Sequence, residues 1–342
     1  MPENLVTVGP EWLVEAGIGE TRAILVERGE IIAARVQWDE RLMPGLIAEA
    51  QIVALGAGGR RGTARFADGS EALVNQLPPG TGQGARLMLR VTRAAIAERG
   101  RGKLAQARPA IGEAPRPAPP LIETLGAEPA RPASARMVST IDPAFDAAGW
   151  TDLVEEAFSG TLDFPGGSLI VSPTSAMTLI DVDGALAPTA LALAAVPAIV
   201  AACARFDLAG SIGIDFPTLA AKAERQAVDG ALADALETSG FRGERTAMNG
   251  FGFVQLVSRL ERPSLVALYA GRPIAAAARA LLRRAERVAE PGALLLTAHP
   301  AVRRAMRDDW LAELARRTGR DLRWAEDAGL APAAAFAQAV PR

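Results

Sequence analysis

The sequence predicts a multidomain α+β protein, and three observations carry that prediction. Short β-rich runs divided by glycine fill residues 21–103. Eight prolines then fall between residues 109 and 143. Beyond them, β-rich runs alternate with helical patterns to the end of the chain. At 342 residues and 49% hydrophobic content, several cores of ordinary size can be built.

In order, residues 21–38 read as a β-hairpin around Glu27-Arg28-Gly29-Glu30, with glycine in the turn. β-rich runs at 50–55, 62–66, 71–74 and 85–93 follow. They are separated by Gly56-Ala57-Gly58-Gly59, Asp68-Gly69 and Pro78-Pro79-Gly80. Strands this short and this closely spaced suggest a small β-barrel over 39–108. Between residues 51 and 110 the cations are Arg60, Arg61, Arg65, Arg86, Arg90, Arg93, Arg99, Arg101, Lys103 and Arg108, against Asp68, Glu71 and Glu98. Ten minus three leaves +7 on a segment of a chain whose net charge is −2. A local surplus of that size is the footprint expected for a polyanion. An OB-type RNA-binding barrel is therefore the economical reading, with Arg60, Arg61, Arg65, Arg86, Arg90 and Lys103 on phosphates. Phe66 is its one aromatic residue, a base-stacking candidate or a core residue. Lys103 and Lys222 are the only lysines, so nearly every cation has the planar fork that suits phosphate.

The proline-rich stretch 109–149 reads as an extended linker with a short ordered piece at 121–125. Past it, 150–158, 191–206, 220–238, 274–288 and 301–317 read as helices, with Arg283-Arg284 on an exposed face. Runs at 168–172, 178–182, 211–215, 293–297 and 321–324 read as strands, the first two joined across 173–175. The run 251–260 fits either type. Residues 150–270 and 271–342 thus form a larger and a smaller α/β unit.

Composition closes several routes. Cys203 and His299 are each alone, so neither an internal disulfide nor a structural zinc site is expected, nor a two-histidine acid–base pair. The N-terminus carries Glu3 and lacks a basic region before an apolar core, so no signal peptide is expected there. Residues 185–204 are uncharged over about one bilayer span, but they are mostly alanine and contain Pro188 and Pro197. A buried helix is the expectation, and a cytoplasmic location follows.

Asp181 and Asp215 each end a short apolar run that reads as a buried strand. A carboxylate there is expected to be poorly hydrated and rigidly aimed, which suits a metal ion. The expected group is one Mg²⁺, with Mn²⁺ as an alternative, for phosphodiester hydrolysis. Asp183 lies two residues on and shares a strand face with Asp181. Arg205 and Arg225 are candidates to neutralise substrate phosphates, or ordinary helix-face arginines.

Read in order, these stretches resemble a known family. Gly-Gly-Ser-Leu-Ile-Val-Ser-Pro-Thr-Ser-Ala-Met-Thr-Leu-Ile-Asp-Val-Asp-Gly (166–184) is followed, after one helix, by Arg-Phe-Asp-Leu-Ala-Gly-Ser-Ile-Gly-Ile-Asp-Phe (205–216). Together they resemble the catalytic core of the RNase E/RNase G endoribonucleases. The segments 224–236, 250–265 and 294–306, and the opening run 19–31, are similar to other family segments in the same order. The resemblance implies a DNase I-like catalytic domain over 150–270, an RNase H-like part within 1–38, and a small C-terminal domain. It implies that Asp181 and Asp215 bind the catalytic magnesium, and that Asp183 replaces an asparagine that orients the attacking group. Thr218 stands where the family has a further aspartate, and Ser172 and Ser175 replace acidic residues. No Cys-x-x-Cys follows Leu265, so a monomer or a dimer not bridged by zinc is expected. The interval that would hold the family's 5′-monophosphate pocket is the proline-rich stretch. The implied protein is a compact relative that cleaves single-stranded RNA without reading its 5′ end.

Two other functions remain open on sequence. Leu-Ile-Asp-Val-Asp-Gly-Ala-Leu (179–186) also resembles the start of haloacid-dehalogenase-like phosphatases, with Asp181 as nucleophile and Asp183 as acid/base. Against it, that motif normally opens its domain and has threonine where Ala185 stands. The chain also fits an RNA-binding protein with a degenerate nuclease site. In a purely structural reading, the two aspartates cap strand ends by backbone hydrogen bonds.

Overall fold

The computed structural model describes residues 9–98, 101–125 and 133–341. Glu3, Arg99, Pro129 and Pro132 lie outside that set, as does the side chain of Arg101. The architecture is mixed α+β, with several sheets and one closed barrel. β1 (Glu11–Ala16), β2 (Glu20–Glu27) and β3 (Glu30–Trp38) form an antiparallel run. In the expected hairpin Glu27 faces Glu30 across Arg28 and Gly29, which both take positive φ. Two left-handed residues in succession match the right-handed twist of paired strands.

β4 (Ile47–Leu55), β5 (Arg61–Phe66), β6 (Glu71–Asn75) and β7 (Arg86–Arg93) follow. After a ribbon of β8 (Ile96–Glu98) and β9 (Arg101–Lys103), β10 (Ala105–Pro109) closes a five-stranded barrel in the order β10-β6-β5-β4-β7. β10 pairs parallel to β6 and antiparallel to β7, so the barrel has no free edge. It fits an OB-type barrel. Ile52, Ala64, Ala72, Val74, Leu89 and Val91 fill its core. Phe66 belongs to that core at 6% exposure, so it cannot stack on a base. On β5 exposed Arg65 lies between buried Ala64 and Phe66, and the two-residue period of the strand aims the ring inward.

The stretch read as a linker is partly built into the fold. α1 (Leu121–Leu125) buries Leu121 and Leu125 among Trp12, Val14 and Leu25. β11 (Ser134–Val138) pairs parallel to β1 and completes a four-stranded sheet, β11-β1-β2-β3. α2 (Ala144–Ala147) sets Phe145 edge-on to Trp150, with ring centroids 5.5 Å apart. Proline excludes long helices here, yet the apolar residues between the prolines still find surface to cover.

α3 (Trp150–Ser159) leads into β12 (Thr161–Phe164), β13 (Gly167–Pro173), β14 (Thr178–Gly184), α4 (Pro188–Arg205), β15 (Ser211–Asp215) and α5 (Lys222–Ser239). β16 (Gly243–Arg245), β17 (Phe253–Ser258) and α6 (Leu265–Tyr269) complete the unit, so the ambiguous run at 251–260 is a strand. The six strands are ordered β12-β13-β14-β15-β17-β16. Only β14 and β15 are parallel neighbours, and α4 is their crossover. Leu191, Ala195 and Ile199 of α4 share one core with Ile180, Val182, Ile212 and Ile214. α4 has the length and composition of a membrane span, and that apolar stripe is the one packed on the sheet.

α7 (Pro273–Glu286), β18 (Ala293–Ala298), α8 (Pro300–Ala305), α9 (Asp308–Thr318), β19 (Leu322–Glu326) and β20 (Phe336–Val340) enclose a second core around Leu281, Leu296 and Leu314. The helix expected over 301–317 is broken where Met306 and Arg307 turn extended, and Asp308 and Asp309 open α9. Carboxylates are favoured at that end by the helix dipole. A further strand, β20, follows the one expected to be last. Arg283, expected to be exposed, is 9% exposed and ion-paired to buried Glu20. Arg287 reaches Glu15 and Asp146, so α7 is fixed to the β1–β2 corner by guanidinium groups. A buried arginine needs such partners, which one sequence window cannot reveal.

Candidate active site

The six-stranded sheet has one face covered by helices and one face open. On β14, Ile180 and Val182 point into the core, so Asp181 and Asp183 point out. On β15, Ile212 and Ile214 point in and Asp215 points out. The parallel register pairs Asp181 with Asp215. Ile170, Asp181, Asp215 and Phe253 therefore lie side by side across four strands. Both aspartates are exposed, which corrects the expectation of poorly hydrated carboxylates: the apolar runs that precede them face the other side of the sheet.

Like charges directly opposite on neighbouring strands repel. Here nothing offsets that repulsion: among the described residues neither carboxylate has an ion-pair or hydrogen-bond partner. The strand-capping reading of these aspartates therefore fails. Asp183 is turned toward its own backbone, its Oδ1 accepting from the Gly184 amide at 2.8 Å. The three aspartates do not make a three-ligand cluster, and no group of three or more His, Cys, Asp or Glu is placed to hold a metal among the described residues. The structure thus joins Asp181 with Asp215 and leaves Asp183 as a neighbour.

The position suits a ligand on topological grounds. Asp181 is the central residue of β14 and Asp215 ends β15, two parallel strands whose following helices are α4 and α5. Clefts of α/β sheets open at that end, beside the positive ends of the helices. Gly213 is buried and makes room on that face for the Phe253 and Met177 side chains beside Asp215. A Cβ there would sit 2.5 Å from the Phe253 ring and 2.9 Å from the Met177 sulfur.

The proposed cations divide into kinds. Arg60 and Arg61 are exposed, and their side chains have no ion pair among the described residues. Arg65 is bound by Glu71 at 2.8 Å, Arg86 by Glu49 at 3.0 Å, and Arg90 by Glu113. Surface pairs of this sort are weak and can exchange for a phosphate. Lys103 Nζ donates to the Ser175 carbonyl at 3.2 Å, tying the β8–β9 ribbon to the β13–β14 turn. Arg93, counted in the basic surplus, is buried and donates to the Leu104 carbonyl. Arg225 holds the loop before α5 through the Leu219 and Ala220 carbonyls, at 2.6 and 3.1 Å. Arg205 lies at the far end of α4 from the aspartates and pairs with Glu156, whose carboxyl is pushed up by burial against the pull of that guanidinium.

Residues 124–260 match the model of the Ribonuclease E/G family. That segment, 137 of the chain's 342 residues, is similar to the Ribonuclease E/G family. The matched span contains Asp181, Asp183 and Asp215, and it runs from the end of α1 past the end of β17. The similarity points to ribonuclease chemistry. The barrel and the small C-terminal core lie outside the match. No curated protein matches the chain.

One feature of this site escapes reading by composition. The loop Asn249-Gly250-Phe251-Gly252, between β16 and β17, abuts the chain just after Asp215, with Phe216 N donating to Gly252 O at 3.2 Å. The Asn-Gly and Gly-x-Gly spacings are turn signals that could have separated this loop from the strand that follows.

Proposed function

We propose that the chain is a Mg²⁺-dependent endoribonuclease acting on single-stranded RNA, with Asp181 and Asp215 as its metal ligands. The observation that carries this is the in-register, unpartnered aspartate pair on the open face, inside the family-matched span. Two hard carboxylates fit magnesium, which binds few protein ligands and leaves other positions to water and substrate phosphate. When bound, the ion offsets charge on the phosphoryl oxygens and lowers the pKa of a coordinated water. The chain does the rest. Asp181 and Asp215 fix where the phosphodiester sits. Asp183, anchored through Oδ1, keeps Oδ2 to hold a water on the same face. Arg60 and Arg61 of the barrel draw in the strand.

The finer assignments are part of the same proposal. Residues 150–270 act as a DNase I-like catalytic domain, and the barrel acts as the RNA-binding module. The protein works in the cytoplasm, as a monomer or a dimer without zinc. Cleavage proceeds without 5′-monophosphate sensing, because α1 and β11 of the 109–149 stretch are committed to packing on the first sheet. The phosphatase reading loses support, since β14 is the third strand of a β12–β13–β14 meander rather than the opening of a domain.

The deciding experiment incubates labelled single-stranded RNA with the protein in magnesium and in EDTA, then repeats it with Asp181→Asn and Asp215→Asn. Magnesium-dependent internal cuts that vanish in both variants support the proposal. Binding without cutting overturns it and leaves an RNA-binding protein. A strong preference for 5′-monophosphate over 5′-hydroxyl RNA would overturn the statement on sensing alone.

A further inference from the structure

Phe251 is 83% exposed, more than any other large hydrophobic residue described. Leaving such a ring in water forgoes the free energy of burying it. It is nonetheless held in a defined place. Asn249 Oδ1 accepts from Phe251 N at 2.8 Å and from Phe253 N at 3.0 Å. Asn249 N donates to Phe253 O at 3.0 Å, which closes the loop. Gly252, at φ +88°, brings the backbone against Phe216 and Pro217, whose carbonyls would lie 3.0 and 3.3 Å from any added Cβ. The ring therefore projects from a braced loop that is hydrogen-bonded to the residue after Asp215.

Its surroundings say what it is for. In the same loop region Thr246, Asn249 and Gly250 are exposed and are polar or small. Protein-docking surfaces are built from contiguous apolar area. A single flat ring beside a phosphate-handling pair suits the face of a nucleobase, the one apolar surface that every nucleotide of an unpaired strand presents. With Phe66 in the barrel core and Phe253 only half-exposed beside Asp215, Phe251 is the most exposed aromatic ring near the pair.

We propose that the Phe251 ring stacks on a base of the RNA strand next to the scissile phosphate, fixing the strand's register over Asp181 and Asp215. This rests on the nuclease reading above. It makes Phe251 a positioning residue, sensitive to base identity only through stacking strength.

The test compares wild type, Phe251→Ala, Phe251→Leu and Phe251→Tyr on oligoribonucleotides carrying an abasic site or 2-aminopurine at each position around the cut. Phe251→Ala is expected to lower kcat/KM between about 5-fold and 150-fold, the range of one lost base–aromatic stack. Phe251→Tyr keeps activity, and Phe251→Leu behaves as alanine. One abasic position should impair wild type to the same degree and leave Phe251→Ala unaffected. The 2-aminopurine arm is run in EDTA, where wild type quenches the probe at that position and Phe251→Ala does not. Equal cleavage by wild type and Phe251→Ala, or full rescue by leucine, overturns the proposal. If wild type never cleaves, the nuclease reading fails by itself, and the quenching arm still decides whether the ring stacks.

Discussion

Replacing Asp181 with asparagine should make the protein more stable in EDTA while removing its response to magnesium. The side chain keeps its size and loses its charge. Parallel strands lie about 4.8 Å apart, so the two in-register carboxylates stand at roughly 5 Å. At that distance two unit charges repel by about 0.8 kcal/mol in water, and by more where the sheet lowers the local dielectric. Both groups are exposed and no cation screens either one among the described residues, so the lower figure applies. Asp181→Asn and Asp215→Asn are each expected to gain about 0.5–1 kcal/mol of unfolding free energy at low salt, and to lose that gain at high salt. Magnesium at about ten times its Kd should add about 1.4 kcal/mol to wild type by mass action and little to either variant. Urea unfolding followed by tryptophan fluorescence, in EDTA and in MgCl₂, reads both effects. The reasoning is refuted if the variants are no more stable than wild type in EDTA, or if magnesium stabilises all three equally. The first outcome would mean the pair is not repulsive, and the second that it is not the metal site.

Other consequences are smaller in scope. Arg61→Ala should lower the slope of log affinity for single-stranded RNA against log salt by about 0.7, with a lesser change for Arg65→Ala, whose charge is already partly met by Glu71. Gly19→Ala should cost about 2–4 kcal/mol in chemical denaturation, because Gly19 has φ +77° and an added Cβ would lie 2.7 Å from the Trp310 ring. Cys203, buried and with its thiol pushed up to about 12, should resist a thiol reagent at pH 8 and react once unfolded. Arg316 and Arg317 hydrogen-bond Glu313 and depress its carboxyl to about 2. Its unfolded value is higher, so this contribution is complete above the ordinary glutamate value near 4.5 and fades as pH falls toward 2. Glu313→Gln should flatten the thermal midpoint against pH across that window.

What was legible followed from periodicity. The barrel strands, the β2–β3 hairpin and the strand ending at Asp215 each carry a two-residue alternation or a glycine turn that a single window displays. The same alternation, taken one residue at a time, places Phe66 inside and both aspartates outside. Arg283 is different. Its burial depends on Glu20, 263 positions away, and no local pattern encodes that pairing. The linker reading failed for a related reason. Proline density argues against helices, but it is silent on whether a five-residue strand such as β11 finds a partner in β1.

The arginine clusters show how one residue type divides between two tasks here. Arg279 lies 4.1 Å from the Trp38 ring centroid and 4.6 Å from that of Trp310, and donates to the Gly19 carbonyl at 2.9 Å. Burial brings its pKa down to about 10, which still leaves it charged at neutral pH. Arg22, similarly enclosed, meets Glu15 through two hydrogen bonds of 2.9 and 2.8 Å while stacking on Phe145 and Trp150. These guanidiniums bind the first sheet, α3 and the small C-terminal core into one body by directional contacts. They are unavailable to RNA, so a count of basic residues overstates the binding surface. Exposure and the absence of a carboxylate partner separate the two uses. By that criterion Arg60 and Arg61 on the barrel are the better candidates for contact with RNA, and α7 is mechanical support for the first sheet.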